Sequence, residues 1–371
     1  GKLSVAMTAW CRSFRRLASI SPFNRPLMMR QHREALKRLS CALAAADLGH
    51  IECDVSLAEC SWYEIGGLAD IMVHPHSAQA LQRTLSIIKD HGVPMFVMGD
   101  GSNVIFDDAG FRGVVVRLGQ PISAMAIDGT RVKAEAGLWV PRFALELARR
   151  GLSGLEHIAG IPGTLGGLIV MNGGSQRKGI GTHVTSVTCL DDAGEIRHFS
   201  QQDCAFGYRR SALQKSDCVV LTAEFELDLA PPSQIRREMI DILATRRKKF
   251  PKHYPNCGSV FLSDPMMYDV IGPPGKAVEE VGLRGLSSGA AQISSIHGNF
   301  IVNRGGASAR DVLWLIYKMR QTVGEKTGYW MDCEVLFVSQ QGAVMPAHQA
   351  ADVLFGAHLS HALPAELQAL L

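Results

Sequence analysis

The segment Gly160-Ile161-Pro162-Gly163-Thr164-Leu165-Gly166-Gly167, continued by Met171-Asn172-Gly173-Gly174, carries the strongest local signal in this sequence. Glycine permits positive φ angles and lets another group approach the backbone closely. Successive exposed N–H groups in such a loop form a concave nest that holds phosphate oxygens. We therefore predict a phosphate-binding segment here, although the same pattern taken alone is also typical of a tight turn.

Two further glycine-rich segments precede it. Met98-Gly99-Asp100-Gly101-Ser102-Asn103 lies between strand-like runs, and Ile65-Gly66-Gly67 precedes another. Ser102 and Asn103 add short side-chain donors at the same place. Two phosphate-binding loops that flank β structure indicate a dinucleotide with a pyrophosphate.

Composition excludes several classes of protein. The 371 residues are enough for two or three domains, and 47% hydrophobic with 20% charged residues is typical of a globular chain. With 38 basic and 35 acidic residues the net charge is +3, so general polyanion binding is not predicted. No apolar run reaches membrane-spanning length. The scattered cysteines lack metal-site spacing, which predicts no metal site and a reducing, cytoplasmic location.

The first forty residues are rich in arginine, and Glu34 is their only acid. This composition is typical of an organelle transit peptide. It equally fits contact with nucleic acid or membrane, residues left by cloning, or translation from a start upstream of Met28 or Met29. The sequence leaves these alternatives open. We treat residues 1–50 as a basic N-terminal extension.

Four amphipathic helices are predicted from apolar residues at helical spacing. Ser77 caps the first, Pro141 opens the second, Ser233 caps the third, and Ser308 with Asp311 caps the fourth. Arg246 and its basic neighbours at the end of the third helix suit the negative end of a helix dipole.

Short β-type runs lie between the helices, which predicts an α+β fold. The runs are Ala69–Val73, Met95–Met98, Gly113–Leu118, Arg131–Glu135, Val184–Leu190, Val219–Leu227, Asn299–Val302 and Glu334–Val338. Ala230-Pro231-Pro232 indicates a domain boundary. The tail from Ser339 to Leu371 predicts an extra helix or a loosely held appendage, without chemistry.

A series of short motifs between Ser61 and Val338 resembles, in order, those of the UDP-N-acetylenolpyruvoylglucosamine reductases, also called UDP-N-acetylmuramate dehydrogenases. The motifs are Trp62–Asp70, Gly99–Asn103, Phe111–Val115, Gly160–Gly167, Met171–Gly173, Phe206–Ser211, Gly258–Phe261, Gly282–Gly285, Gly289–Ser294, His297–Asn303 and Glu334-Val335. The close succession of Tyr208-Arg209 and Ser259, without a tyrosine-bearing insertion, resembles the shorter subtype.

The resemblance implies an FAD-binding domain of the vanillyl-alcohol-oxidase/PCMH type at 51–229, in two subdomains split near 120. It further implies an α+β substrate-binding domain at 230–338, followed by a C-terminal extension at 339–371. The cofactors would be FAD and NADPH, with oligomeric state left open. The implied FAD contacts are Gly66, Gly99, Asp100, Gly101, Ser102, Asn103, Gly160, Ile161, Pro162, Gly163, Thr164, Gly166, Gly167, Asn172 and Gly173.

The implied activity is NADPH-dependent reduction of UDP-N-acetylglucosamine enolpyruvate to UDP-N-acetylmuramate, for peptidoglycan precursor synthesis. Arg209 would stabilise negative charge on the substrate carboxylate. Ser259 would give a proton to the α-carbon, and Glu334 would act beside the arginine. Tyr208 and Asn256 are implied substrate-binding groups. His297 is predicted to form a structural hydrogen bond within its own loop.

The sequence departs from the family pattern at several places. Gly173-Gly174-Ser175-Gln176-Arg177-Lys178 follows Asn172, Asp100 replaces a glycine, and Met331-Asp332-Cys333 precedes the glutamate instead of Leu-Glu-Pro. These departures leave two alternatives open: a paralogous FAD oxidoreductase acting on a related nucleotide-sugar, and a non-catalytic flavin-binding relative. An oxidase with covalently bound FAD is disfavoured because Gly99–Asn103 contains neither His nor Cys.

Overall fold

The computed structural model describes residues 25–356 of the chain, and the sequence predictions for residues 1–24 and 357–371 lie outside this range. The described helices and strands are α1 (Arg25–Ala46), β1 (Gly49–Ser56), β2 (Leu68–Pro75), α2 (Ala78–Asp90), β3 (Met95–Met98), β4 (Val104–Phe106), β5 (Phe111–Arg117), β6 (Met125–Asp128), β7 (Arg131–Glu135), α3 (Val140–Arg149), β8 (Leu152–Ser153), α4 (Leu165–Val170), β9 (Val184–Leu190), β10 (Ile196–Ser200), β11 (Val219–Glu226), β12 (Asp228–Leu229), α5 (Pro232–Lys249), α6 (Pro265–Tyr268), α7 (Pro274–Glu280), β13 (Ser287–Ser288), β14 (Ala291–Ile293), β15 (Ile301–Asn303), α8 (Ala309–Thr327), β16 (Leu336–Val338), β17 (Val344–Pro346) and α9 (Ala347–Phe355).

A four-stranded mixed sheet with the order β1-β2-β5-β3 forms the first subdomain. β2 and β3 both pair with β5 in parallel, while β1 runs antiparallel to β2. Leu39 and Leu43 of α1 are fully buried in the same core as Ile71 and Val73 of β2. Part of the predicted N-terminal extension therefore packs on the sheet, and the predicted boundary at residue 50 falls inside β1.

The second subdomain is an antiparallel sheet with the order β10-β9-β11-β7-β6. Apolar residues at helical spacing place one face of α3 on this sheet, where Phe143 meets Phe225 of β11 at a ring distance of 5.3 Å. One continuous hydrophobic core joins both sheets, because their buried residues belong to a single cluster. Burial of this shared apolar surface is the main term that fixes the two subdomains relative to each other.

The C-terminal region packs a second core around α8. Ser308 accepts from the backbone N–H of Asp311, and the Asp311 side chain accepts from the N–H of Ser308, which forms a complete capping box. β16 pairs in parallel with β4, so a strand of the N-terminal region and a strand of the C-terminal region share one sheet. This pairing brings Glu334, just before β16, close to Asn103, just before β4.

The segment after residue 338 contains ordered elements that belong to the second core. β17 pairs with β16, and Ala347, Ala350 and Ala351 of α9 are buried. The extra helix predicted in this tail is confirmed. The predicted boundary at 338 separates two strands that are paired with each other.

Most predicted elements are confirmed, and the α+β class is correct. Met95–Met98, Arg131–Glu135 and Val184–Leu190 coincide with observed strands, and Ser77 caps its helix by accepting from Ala80. The predicted cap at Ser233 is wrong, because α5 begins one residue earlier with Pro232 and has Pro231 at the N-cap. Within the described range, no helix combines the length and hydrophobicity that a membrane span requires.

Candidate active site

The two predicted phosphate loops lie against each other. Ser102 Oγ donates to the carbonyl of Pro162 at 3.1 Å. A Cβ atom on Gly99 would lie 2.0 Å from Thr164 Oγ1, so only glycine allows this approach. Gly163 lies on the other side of the contact with a φ of +126°, a conformation that L side chains rarely adopt. The two segments therefore form one binding surface, as the sequence predicts.

The backbone of this surface has unused donors. Among the backbone hydrogen bonds of residues 25–356, none uses the N–H groups from Gly99 to Asn103, or those of Gly163 and Thr164. Asp100 does not occupy them, because it accepts from Trp62 Nε1 at 2.8 Å and lies 3.5 Å from Arg117. Backbone N–H groups without a partner are costly unless water or a ligand takes them. The loops therefore fit the pyrophosphate of a dinucleotide such as FAD.

Arg209 is held by the second loop. Its Nη1 donates to the carbonyls of Asn172 and Lys178 at 3.4 Å, and its Nη2 donates to the carbonyl of Gly174. Its Nε lies 3.3 Å from Glu334 Oε1. These contacts use four of the five N–H groups of the guanidinium. Within residues 25–356 one N–H has no partner, and the two long hydrogen bonds from Nη1 can be exchanged for bonds to a carboxylate ligand.

The backbone at Arg209 and Asn172 is unusual. Their φ angles are +51° and +43°, which is rare for an arginine. Asn172 Nδ2 donates to the carbonyl of Gly207 at 2.6 Å, and its Oδ1 accepts from Gly181. Strained backbone of this kind costs of order 1–3 kcal/mol and clusters at functional sites. Asn172 therefore fixes the turn that presents Arg209.

Glu334 completes an ion pair at the junction of the two domains. Its backbone N–H donates to the carbonyl of Val260 at 2.8 Å, and Asn103 Nδ2 donates to its carbonyl at 3.1 Å. Burial raises the pKa of the Glu334 carboxyl, and Arg209 opposes the shift. A carboxyl with a raised pKa is suited to hold a proton close to a charged ligand.

Ser259 and Tyr208 lie in the same region. Ser259 directly precedes Val260, whose carbonyl binds Glu334, and its hydroxyl makes no hydrogen bond to a residue within 25–356. The guanidinium of Arg209 lies 5.0 Å from the Tyr208 ring centre. Burial raises the pKa of Tyr208, and Glu334 also contributes to this shift while Arg209 opposes it. Arg209, Glu334, Tyr208 and the Ser259 segment therefore meet in one place.

Two predicted site residues have their main contacts elsewhere. Both amide hydrogens of Asn256 go to the carbonyls of Pro251 and Tyr254, and its Oδ1 accepts from Gly258. These bonds shape the turn before Ser259 and leave Asn256 only a spare oxygen lone pair for a ligand. Gly66 faces the interior, since a Cβ there would lie 2.8 Å from Phe106 Cβ.

The hydrogen bond predicted for His297 is confirmed, because its Nδ1 accepts from the N–H of Asn299 at 3.1 Å.

The sequence does not predict that Arg246 lies beside the second glycine loop. A Cβ on Gly160 would lie 3.7 Å from Arg246 Nε, and both burial and Arg209 lower the pKa of Arg246. The basic run at the end of α5 suggests only a helix-dipole role, so nothing in the sequence distinguishes this arginine from its neighbours. Two arginines beside the second loop favour an anionic ligand.

Sequence models of two known domain families match this chain. A model of an FAD binding domain matches residues 69–200, which include both loops. A model of the UDP-N-acetylenolpyruvoylglucosamine reductase C-terminal domain matches residues 250–338, which include Ser259 and Glu334. Fold and site together therefore define a flavoprotein with an FAD-binding domain and a reductase-type C-terminal domain.

Individual relatives agree with these matches. The UDP-N-acetylenolpyruvoylglucosamine reductase 1 of Corynebacterium glutamicum is 47% identical over 299 residues, which are 81% of this chain and 89% of that protein. The reductase of Halalkalibacterium halodurans is 35% identical over 82% of this chain and its own full length. The crystal structure of the reductase from Thermus caldophilus matches with a TM-score of 0.66 at 30% identity, covering 78% of this chain and 98% of that one. The chain belongs to the UDP-N-acetylenolpyruvoylglucosamine reductase family.

Proposed function

We propose that this protein reduces UDP-N-acetylglucosamine enolpyruvate to UDP-N-acetylmuramate with electrons from NADPH, as a cytoplasmic step of peptidoglycan precursor synthesis. One observation carries the proposal: each of the two flavin loops is hydrogen-bonded to one member of the Arg209–Glu334 pair. Asn103 of the first loop holds the Glu334 carbonyl, and the carbonyl of Asn172 beside the second accepts from Arg209. The cofactor surface and the catalytic pair are therefore one rigid unit.

In this proposal residues 51–229 bind FAD and residues 230–338 bind the nucleotide-sugar. The N–H groups from Gly99 to Asn103, with those of Gly163 and Thr164, hold the pyrophosphate of FAD. When bound, the flavin supplies hydride transfer from NADPH to the β-carbon of the enolpyruvyl ether. The residues of this chain supply binding, orientation and proton transfer.

Reduction of the enolpyruvyl group moves negative charge toward its carboxylate. Arg209 stabilises that charge with its free N–H and with the donors that its long bonds release. Arg246 adds a second positive charge beside the same loop. The ionised Glu334 carboxylate, 3.3 Å from Arg209 Nε, neutralises part of the charge of Arg209. Protonation of Glu334 removes this neutralisation, so the full charge of Arg209 then acts on the substrate.

The α-carbon of the substrate then takes a proton. Ser259 is the donor in this proposal, because its hydroxyl is not committed to any residue within 25–356 and its segment is bonded to Glu334. A hydroxyl is a weak acid on its own, so the proton is relayed to it from a neighbouring group. A positioned general acid contributes roughly 10²–10⁴-fold in rate.

The test separates the two half-reactions of the FAD-loaded protein. Without oxygen, NADPH is expected to bleach the flavin absorbance, and UDP-N-acetylglucosamine enolpyruvate is expected to restore it. Flavin that is bleached by NADPH but not restored by this substrate would overturn the proposed substrate. A protein that takes up no FAD would overturn the proposal as a whole.

Ser259→Ala tests the proton donor. The variant should bind FAD and be reduced by NADPH like the wild type, while substrate reduction slows by roughly 10²-fold or more because the proton source is lost. Stopped-flow measurement of both half-reactions distinguishes these effects. Ser263→Ala, four residues further on, is the matched control and should change neither rate more than about twofold. A parallel fall of both rates in Ser259→Ala would contradict the assignment.

A further inference from the structure

The backbone around Glu334 is held on both sides by the segment that follows β16. His348 Nδ1 accepts from the N–H of Cys333, one residue before Glu334, at 2.9 Å. The N–H of Ala347 donates to the carbonyl of Val335, one residue after it, at 3.0 Å. Both groups belong to the first turn of α9. This turn is therefore hydrogen-bonded to the backbone immediately before and immediately after Glu334, whose carboxylate pairs with Arg209.

The N–H of Cys333 depends on His348. Cys333 lies opposite Phe261 in an isolated β-bridge, but the bonds of that bridge run from Leu262 to Asp332 and from Glu334 to Val260. The bridge therefore leaves the Cys333 N–H to His348. Since Cys333 is buried, this N–H would have no acceptor among residues 25–356 without the imidazole.

A network of charges fixes the tautomer of His348. Because Nδ1 accepts, the proton lies on Nε2, which is 3.3 Å from Asp332 Oδ1. Arg320 faces the same carboxylate at 3.8 Å and binds Asp352 of α9 at 2.7 Å. Burial and Arg320 lower the pKa of His348 to about 4, and Asp332 opposes the shift. The imidazole is therefore neutral near pH 7, as acceptance at Nδ1 requires.

We propose that the first turn of α9 positions the active site, with His348 as a positioning residue that fixes Glu334 through the Cys333 N–H. This inference rests on the role proposed above for Glu334. With the backbone anchored on both sides, the carboxylate stays 3.3 Å from Arg209 Nε. Precision of this kind matters because a displacement of about 1 Å can cost roughly 100-fold in rate.

The test compares three variants of the FAD-loaded full chain. His348→Ala should lower kcat for substrate reduction about 10-fold or more, with flavin reduction by NADPH and the KM for the substrate within about twofold. His348→Asn keeps an acceptor near Nδ1 and should restore most of kcat. Met345→Ala removes a buried side chain from the neighbouring β17 and is the matched control. It should lower the unfolding temperature without changing kcat.

Hydrogen exchange gives a readout that needs no turnover. In the FAD-free protein, the peptide covering Met331–Leu336 should exchange at least several-fold faster in His348→Ala than in the wild type or Met345→Ala. Protection in His348→Asn should be close to that of the wild type. Equal exchange in His348→Ala and the wild type would overturn the proposal.

A second pair of variants removes the Cys333 N–H itself. Proline has no N–H, and the bridge to Phe261 does not use the N–H at position 333, so Cys333→Pro removes the group that His348 holds. In the Cys333→Pro background, His348→Ala should change kcat less than twofold. An equal loss in both backgrounds, or a folded His348→Ala with wild-type kcat, would overturn the proposal. A wild type that does not reduce the substrate would instead contradict the proposed function.

Discussion

Arg209 is held by the 172–178 segment, and Glu334 belongs to the 331–334 segment. Each of these segments lies against a buried histidine, and the two histidines differ in their contacts. His157 lies under the 172–178 loop, where a Cβ on Gly174 would lie 2.9 Å from its ring. Among residues 25–356, neither of its ring nitrogens has a well-formed hydrogen bond, although a contact with the Gly179 backbone opposes the lowering of its pKa. His348, behind the 331–334 segment, uses both nitrogens. Both have a pKa lowered to about 4, with burial as the first cause.

The comparison shows that similar burial and a similar lowering of the pKa do not imply similar roles. His157 contributes volume under the loop, together with a backbone carbonyl that accepts from Ser175 Oγ. His348 contributes a directed hydrogen bond. An apolar residue can therefore replace the first imidazole, whereas only another acceptor can replace the second.

The largest expected effect comes from the arginine that is hydrogen-bonded to the loop supported by His157. Arg209→Lys removes the planar guanidinium that spans Glu334 and the loop carbonyls, so substrate reduction should fall roughly 10²–10³-fold. FAD content should not change, which a visible spectrum checks. Arg210→Lys, at the exposed neighbouring position, is the control and should retain full activity. A loss in both variants would show that the effect is not specific to the ion pair.

Acidification should lower the free energy of unfolding through both histidines. The unfolded chain binds a proton on each histidine near pH 6.5, whereas the folded chain does so only near pH 4. Stability is therefore full above about pH 6.5 and is lost as the pH falls to 4, by about 3 kcal/mol for His157 and in the same direction for His348. Glu334, with its raised pKa, partly offsets this loss because the folded state protonates it first. Urea unfolding between pH 7 and pH 4 measures the slope.

The smallest expected effect distinguishes the two histidines at neutral pH. His157→Leu removes a buried imidazole without well-formed hydrogen bonds, so the free energy of unfolding at pH 7 should rise by about 1–2 kcal/mol. The acid-induced loss should also be smaller than in the wild type. His198→Leu, on the exposed β10, should change stability by less than about 0.5 kcal/mol. Destabilisation by His157→Leu would show that the ring has a polar partner after all.

Local patterns predicted much of the fold. The cap at Ser77 and the capping box at Ser308 depend on residues within four positions of each other, so the sequence contains the whole signal. The cap at Ser233 failed because Pro231-Pro232 competes for the same helix start. The glycine loops were predictable because few residues other than glycine allow another group to approach the backbone so closely.

The site was only partly predictable, because its contacts join residues that are far apart in the sequence. Ser259 and Glu334 were named by resemblance, but their link through Val260 depends on a pairing between distant segments. The resemblance implies that Asn256 binds the substrate, and only the structure shows that both of its amide hydrogens bond within the local turn. Arg246 was interpreted as one of four helix-end cations, because only the fold places it beside Gly160.

By itself the sequence determined the α+β class, the two glycine loops, the helix caps at Ser77 and Ser308 and the family, since each depends on neighbouring residues or on motifs in order. Only the tertiary structure decided that β16 joins β4, and that α9 reaches back to the backbone beside Glu334. Contacts between residues distant in the chain follow from how apolar faces are buried together. No local sequence pattern predicts that the buried N–H of Cys333 will donate to the imidazole of His348.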